Sequence, residues 1–176
     1  MAKKIELPAW QEEPISHSHH RKNFDCGHIE LNTYLARFAR QNHQLGVSKT
    51  FVIVTKEIPK IILGYYSLSA CQISIKSVPD RVLKRVGHYP IPVVMLGRLA
   101  VDRHYQGFGL GGILLLSAGE RILSVSKQVG IRAMVMDAKN EPIARWYERF
   151  GAVRLKDQPL SLILPLEVIK IAIRNI

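Results

Sequence analysis

The stretch LGRLAVDRHYQGFGLGG, from Leu96 to Gly112, decides how this chain folds. An apolar strand runs into a basic turn and then into a glycine cluster that opens a helix. A βα junction of this kind aims a row of backbone N–H groups, together with the positive end of a helix dipole, at one spot. The junction therefore predicts a site for a phosphorylated ligand.

The glycine spacing offers two readings of that ligand. Gly107, Gly109 and Gly112 fit GxGxxG, the dinucleotide fingerprint, and Asp137 ends a later apolar run where a ribose-binding acid would stand. Two features count against it. The fingerprint's first glycine follows its strand at once, whereas Asp102 to Gln106 intervene here. Only the residues from Gly112 to Ile176 remain for the further parallel strands that fold requires. The second reading takes Gln106-Gly107-Phe108-Gly109-Leu110-Gly111 as Q/R-x-x-G-x-G/A. It resembles the pyrophosphate loop of the GNAT acetyltransferases, which bind acetyl-coenzyme A. Its setting agrees, with Val93 to Val101 reading as the strand before the loop and Gly111 to Gln128 as the helix after it. Further on, Asn140-Glu-Pro-Ile-Ala-Arg-Trp-Tyr147-Glu-Arg-Phe-Gly151 resembles the family's second signature, an Asn and a Tyr on a short helix ended by Phe-Gly.

The order of the other elements is that of an α/β chain. Gly27 to His43 carries Leu31, Tyr34, Leu35, Phe38 and Ala39 at i, i+3, i+4, i+7 spacing, which predicts an amphipathic helix. Thr50 to Lys56 and Ile61 to Ile75 are rich in β-branched and aromatic residues, with Glu57-Ile-Pro-Lys60 as the hairpin turn between them. Pro79 to Val86 reads as a short helix, with Pro79 in its first turn and Gly87 after its end. Ile131 to Met136 reads as another strand, and two final strands are expected around Ala152 to Lys156 and Leu160 to Ala172. Neither repeat nor linker interrupts the chain, so residues 1–176 are expected to form a single domain. The GNAT resemblance implies a central mixed sheet of six to seven strands flanked by about four helices.

Composition narrows the class. A chain of 176 residues with 47% hydrophobic content suits one domain with its own core. No apolar run approaches the roughly 18 residues of a membrane span, and the lysine-bearing start lacks a signal-peptide core, so a soluble cytoplasmic protein is expected. Cys26 and Cys71 are too few for a disulfide scaffold, and no metal is expected. The cluster His17-Ser-His-His20 reads as a polar loop, because no further His/Cys pair completes a coordination set. Lys and Arg outnumber Asp and Glu by 25 to 14, a net charge of +11. Such an excess attracts polyanions and opposes cationic substrates such as polyamines and aminoglycosides.

Acetyl transfer from a thioester to an amine needs a fixed thioester, an unprotonated amine and a partner for the leaving thiolate. The GNAT resemblance assigns the cofactor to Gln106, Gly107, Phe108, Gly109, Leu110, Gly111 and Gly112, and to Asn140, with the backbone of Leu99, Ala100 and Val101 bonding the pantetheine arm. It assigns Tyr147 as general acid to the departing sulfur; a phenol with an ordinary pKa near 10 keeps its proton at neutral pH. Pattern alone also allows Tyr147 to be a core residue beside Ile143 and Phe150, and Asn140 to be a helix cap. Asp102 and Glu141 read as a strand-end turn residue and a first-turn helix acid rather than as bases. An α-amino group, titrating near 7.7 to 8.0 and lower beside an ester, needs little general-base help.

The N-terminal third narrows the resemblance. Phe24-Asp-Cys-Gly27, Leu31-Asn32, Tyr34-Leu35, Ala39-Arg-Gln-Asn42 and Ser48-Lys-Thr-Phe51 resemble the GNAT toxins of bacterial toxin–antitoxin operons, the TacT, KacT and AtaT group. That resemblance implies acetylation of the α-amino group of aminoacyl-tRNA, a block of translation, a ribbon-helix-helix antitoxin and a homodimer. Candidate tRNA-facing residues are Arg37, Arg40, Lys49, Arg81, Lys84, Arg85 and Arg98; Arg81, Lys84 and Arg85 would share one face of the short helix. Two other classes remain open at this point: a GNAT enzyme acting on a protein N-terminus, a lysine or a small amine, and a nucleic-acid-binding module without catalysis. The second lacks a base-stacking or base-reading motif.

Overall fold

Seven strands form one sheet in the order β1-β2-β3-β4-β5-β7-β6. They are β1 (Trp10–Pro14), β2 (Lys49–Thr55), β3 (Ile62–Ile73), β4 (Ile91–Val101), β5 (Ala133–Asp137), β6 (Val153–Leu155) and β7 (Gln158–Pro165). The structure is a computed structural model and describes residues 7–82 and 87–175. β1 runs antiparallel to β2, β4 parallel to β5, and β7 antiparallel to both β5 and β6, so the sheet is mixed. The helices are α1 (Ile29–Thr33), continued through a π turn (Tyr34–Phe38) into α2 (Ala39–Leu45), then α3 (Leu110–Val125), α4 (Glu141–Glu148) and α5 (Leu166–Arg174). This is the mixed sheet with flanking helices that the sequence predicts.

The chain forms two compact units, Met1–Ser67 with Arg98–Leu115, and Leu68–Gly97 with Leu116–Ile176. In the first unit, Phe24, Tyr34, Leu35 and Ala39 pack with Val52, Val54 and Tyr65. In the second, Val78, Ile91 and Val93 pack with Ala133, Val135 and Ile163.

Several elements depart from the sequence reading for identifiable reasons. The helix expected over Gly27 to His43 begins at Ile29 and contains the π turn, in which the Ala39 N–H bonds the Tyr34 carbonyl. The wider turn brings Tyr34, Leu35 and Ala39 into the core but leaves Phe38 half exposed, off the face that a 3.6-residue period gives it. Strand β1 is polar and has no strand pattern in its sequence; the Tyr66 hydroxyl donates to Glu12, while Lys60 and His19 pair with Glu13. The strand expected from Leu160 to Ala172 stops at Pro165, and Leu166–Arg174 is helix, with Leu166 and Ile169 buried one turn apart. Its β-branched Val168, Ile169 and Ile171 imitate a strand, and the period of burial decides the matter. Over Pro79 to Val86, residues 80–82 form a turn, and Leu83 to Val86 lie outside the described residues.

Candidate active site

The glycine junction sits in the first unit. β4 ends at Val101, and the buried Asp102 caps a single 3-10 turn, Arg103–Tyr105. The Asp102 carboxylate accepts the N–H groups of His104 and Asp25, each at 3.0 Å, and lies 2.7 Å from His104 Nδ1. Asp25 in turn accepts the Gly27 N–H and the Asn32 amide, each at 2.9 Å, and pairs with Arg103. These bonds hold the carboxyl of Asp25 below its ordinary range, the Gly27 N–H contributing most. The Gln106 amide donates to the carbonyls of Val101 at 2.9 Å and Cys26 at 3.1 Å. The entry to the loop is therefore braced on both sides.

Gly107 and Gly109 adopt φ of +85° and +83°, the left-handed region that side chains rarely enter. A Cβ added to either would meet nothing within 4 Å, so backbone conformation, rather than crowding, makes these positions glycine. Helix α3 follows at Leu110, and its first i to i−4 bond runs from Ile113 to Gly109 at 3.2 Å. The N–H groups of Leu110 and Gly111 precede that bond and point out of the helix start, the arrangement that suits a phosphate. Phe108 is partly exposed and Gly112 bonds back to Gly109. The ladder from β4 to β5 covers Val93 to Leu96 against Ala133 to Met136, and β4 runs on to Val101 past it. Leu99, Ala100 and Val101 lie in that extension.

In the second unit, Asn140 caps α4, its side-chain oxygen accepting the Ile143 N–H at 3.1 Å, with Pro142 in the first turn. The cap role of Asn140 is thus realised. Ala144 and Tyr147 form the buried face, Tyr147 being 7% exposed, whereas Ile143 and Phe150 are about two-fifths exposed at 41% and 40%. Trp146 meets Tyr147 and Phe150 edge-on, at 5.0 and 4.8 Å between ring centroids. Burial pushes the Tyr147 phenol up to about 12, and its hydroxyl has no hydrogen-bond partner among the described residues. Gly151 ends the segment with φ +91°.

One residue that the sequence did not mark positions α4. Arg154, on β6, bonds Glu141 at 2.7 and 2.8 Å, Glu148 at 2.8 and 3.1 Å, and the Pro159 carbonyl at 3.2 Å. Its fork thereby ties both ends of the helix to one strand. Glu141 also bonds Arg145 at 3.1 Å, and the two arginines, Arg154 first, hold its carboxyl down at about 2. Arg154 could be found only by knowing that Glu141 and Glu148 face it. Asp25 had a local signal, the Asp-x-Gly of an Asx turn.

The candidate tRNA residues are spread over different settings. Arg37 lies exposed in the π turn, Arg40 is half-buried on α2, and Lys49 is exposed with its ammonium on the His43 carbonyl at 2.9 Å. Arg81 is exposed in the turn after Pro79, and Lys84 and Arg85 lie outside the described residues. The Arg98 guanidinium is stacked 3.6 Å over the ring of Tyr34, whose hydroxyl bonds Ser48 at 2.8 Å. Of the histidine cluster, His19 is buried; its Nδ1 accepts the Ser16 N–H at 3.0 Å and its Nε2 faces Glu13 at 2.9 Å, an internal bracket for β1. No group of three or more His, Cys, Asp and Glu among the described residues could hold a metal ion. Both cysteines are free thiols, and no described helix is long and apolar enough to cross a membrane.

No protein-family model matches the chain. A tRNA-acetylating toxin of Mycobacterium tuberculosis (strain ATCC 25618 / H37Rv) is 33% identical over 142 residues, which cover 81% of this chain and 83% of the relative. Among solved structures, AtaT complexed with acetyl-methionyl-tRNAfMet superposes with a TM-score of 0.87 at 27% identity, over 93% of this chain and 99% of that one. A tyrosine-to-phenylalanine mutant of KacT gives 0.86 at 28% identity, over the same 93% and 99%. AtaTR bound with AcCoA gives 0.82 at 27% identity, over 94% and 98%. The extent of identity to the first of these, together with the fold shared with the others, establishes that the chain belongs to the family of tRNA-acetylating toxins.

Proposed function

We propose that this protein moves the acetyl group of acetyl-coenzyme A to the α-amino group of aminoacyl-tRNA and so blocks translation. The observation that carries the reading is one chain holding both a glycine cradle at a helix start and a buried, protonated Tyr147 on a braced helix. The left-handed Gly107 and Gly109 and the outward N–H groups of Leu110 and Gly111 suit a pyrophosphate, so the residues fit this co-substrate. The co-substrate supplies an acyl group activated as a thioester. Gln106 to Gly112 and Asn140 bind it, and the backbone of Leu99, Ala100 and Val101 orients its arm. Tyr147 keeps its proton at any physiological pH and donates it, or a hydrogen bond, to the leaving sulfur.

Neither Asp102 nor Glu141, the two carboxylates beside the sequence motifs, is suited to act as a base. Asp102 is engaged with Asp25 and His104, and Glu141 is held ionised by two arginines. An acceptor amine that deprotonates by itself near neutrality fits such a site, and a lysine near 10.4 does not. Arg37, Arg40, Lys49, Arg81, Lys84, Arg85 and Arg98 are the residues assigned to tRNA. The protein works as a single domain over residues 1–176, in the cytoplasm where charged tRNA is found, as a homodimer neutralised by a ribbon-helix-helix antitoxin. AtaT is known in complex with the C-terminus of its antitoxin AtaR, which supports a protein antidote for this chain. Incubation with labelled acetyl-coenzyme A and charged tRNA should yield an N-acetylated aminoacyl group. Labelling of lysine or a small amine with none on tRNA would overturn the proposal.

A further inference from the structure

Arg21 and Arg40 are near enough for the charge of one to act on the other, and neither has an acidic partner among the described residues. Arg21 opens a 3-10 turn, Arg21–Asn23, that packs on the π turn Tyr34–Phe38, and Arg40 follows in the first turn of α2. Arg21 is half-buried, and its Nε is sealed from solvent with no hydrogen-bond partner among the described residues. Burial, and then the charge of Arg40, both lower its hold on its proton. Neither Arg40 nor the neighbouring Arg37 has an acidic partner among the described residues. Other arginines of the chain are neutralised: Arg103 by Asp25, Arg145 by Glu141, and Arg154 by Glu141 and Glu148.

A half-buried guanidinium is costly without a counter-charge, and a second one beside it adds repulsion. A phosphodiester reached by the terminal nitrogens of both guanidinium groups supplies the counter-charge and relieves the repulsion, its two non-bridging oxygens being shared between them. We infer that Arg21 and Arg40 grip one backbone phosphate of the tRNA, a role that rests on the acetyl transfer proposed above. The pair sets affinity for the acceptor and takes no part in the chemistry.

The test compares wild type, R21Q, R40Q and the double variant in acetyl transfer to bulk charged tRNA, and in binding of uncharged bulk tRNA across a salt series. Each single variant should raise KM for charged tRNA by about tenfold, with kcat and the Kd for acetyl-coenzyme A unchanged. The log–log salt slope should fall by about one in either single variant and no further in the double, since both arginines hold one phosphate. Tm should stay level or rise in R40Q, because a like-charge repulsion is removed. Unchanged KM and salt slope would overturn the clamp while leaving the function standing, and so would a fall in kcat together with Tm, which marks a structural role. Should wild type acetylate no charged tRNA, the function falls, and the binding arm alone still decides the clamp. Should R21Q fail to fold, R21K keeps the charge without the fork and is expected to bind tRNA more weakly than wild type; binding by R21K and R40Q as tight as that of wild type would overturn the pair.

Discussion

Replacing Tyr147 with Phe removes one oxygen from a ring that is 7% exposed and leaves its packing on Trp146 in place. The hydroxyl has no hydrogen-bond partner among the described residues, so its loss forfeits no internal bond. Stability should therefore change by no more than about 0.5 kcal/mol. If the phenol assists departure of the thiolate, its loss should slow transfer by about 10²–10⁴-fold, equivalent to roughly 3–5 kcal/mol of barrier. The two effects are thus expected to differ by several kcal/mol at one atom. Single-turnover transfer to charged tRNA, urea unfolding and calorimetric binding of acetyl-coenzyme A measure them separately. A variant that keeps the rate within threefold would remove Tyr147 from the chemistry. A variant that loses more than about 2 kcal/mol of stability would show that the hydroxyl has a structural task.

Transfer should rise with pH as the acceptor α-amino group deprotonates, levelling above about pH 8, and Tyr147, with its pKa near 12, should cause no fall below about pH 11. An alkaline loss of activity between pH 8 and 10 without unfolding would contradict that assignment. Gly109→Ala places a Cβ in open space at φ +83°, so it should cost only about 1–2 kcal/mol in stability while weakening acetyl-coenzyme A at least about tenfold; calorimetry and urea unfolding check both. Gly151→Ala combines φ +91° with a contact of 2.7 Å to Val168 Cγ1 and should cost about 2–4 kcal/mol, read as a lowered Tm. Glu13, held down at about 2 chiefly by Lys60, stabilises the fold above its unfolded pKa near 4.5 and loses that contribution as pH falls through about 2. The Tm difference between wild type and Glu13→Gln should accordingly be largest near pH 7 and vanish toward pH 2, with about 1–2 kcal/mol at neutrality after allowance for its partial exposure.

What could be read from the chain without coordinates was what depends on neighbours in sequence. The glycine loop, the Asn140 cap and the Phe150-Gly151 stop are set by backbone preferences within a few residues, and each stands where its pattern puts it. Strand β1 could not be read, because Trp10–Pro14 has no apolar alternation and is held by Lys60, His19 and Tyr66 from elsewhere. The same holds for Arg154, which looks like a surface cation until β6 brings it beneath both ends of α4. α5 departs from its local pattern for the opposite reason, since its β-branched residues carry a strand preference that burial overrides. Charge alone marks the basic residues in the sequence, and only their settings separate Arg98, stacked on Tyr34, from Arg40, which has no acidic partner among the described residues.

The π turn at Tyr34–Phe38 amounts to one surplus residue inserted in a helix. Everything after it is rotated by about 100° from where an uninterrupted α-helix would carry it. His43, whose Nδ1 accepts the Thr50 N–H at 3.0 Å, and Asn42, whose carbonyl accepts the N–H groups of Val47 and Ser48 at 3.0 and 3.3 Å, owe their azimuth to that residue. Deleting one position there would turn both away and unfasten the start of β2. A relative with a plain α-helix at this place must be one residue shorter, so the correct alignment between them opens a gap inside a helix, where gaps are ordinarily forbidden.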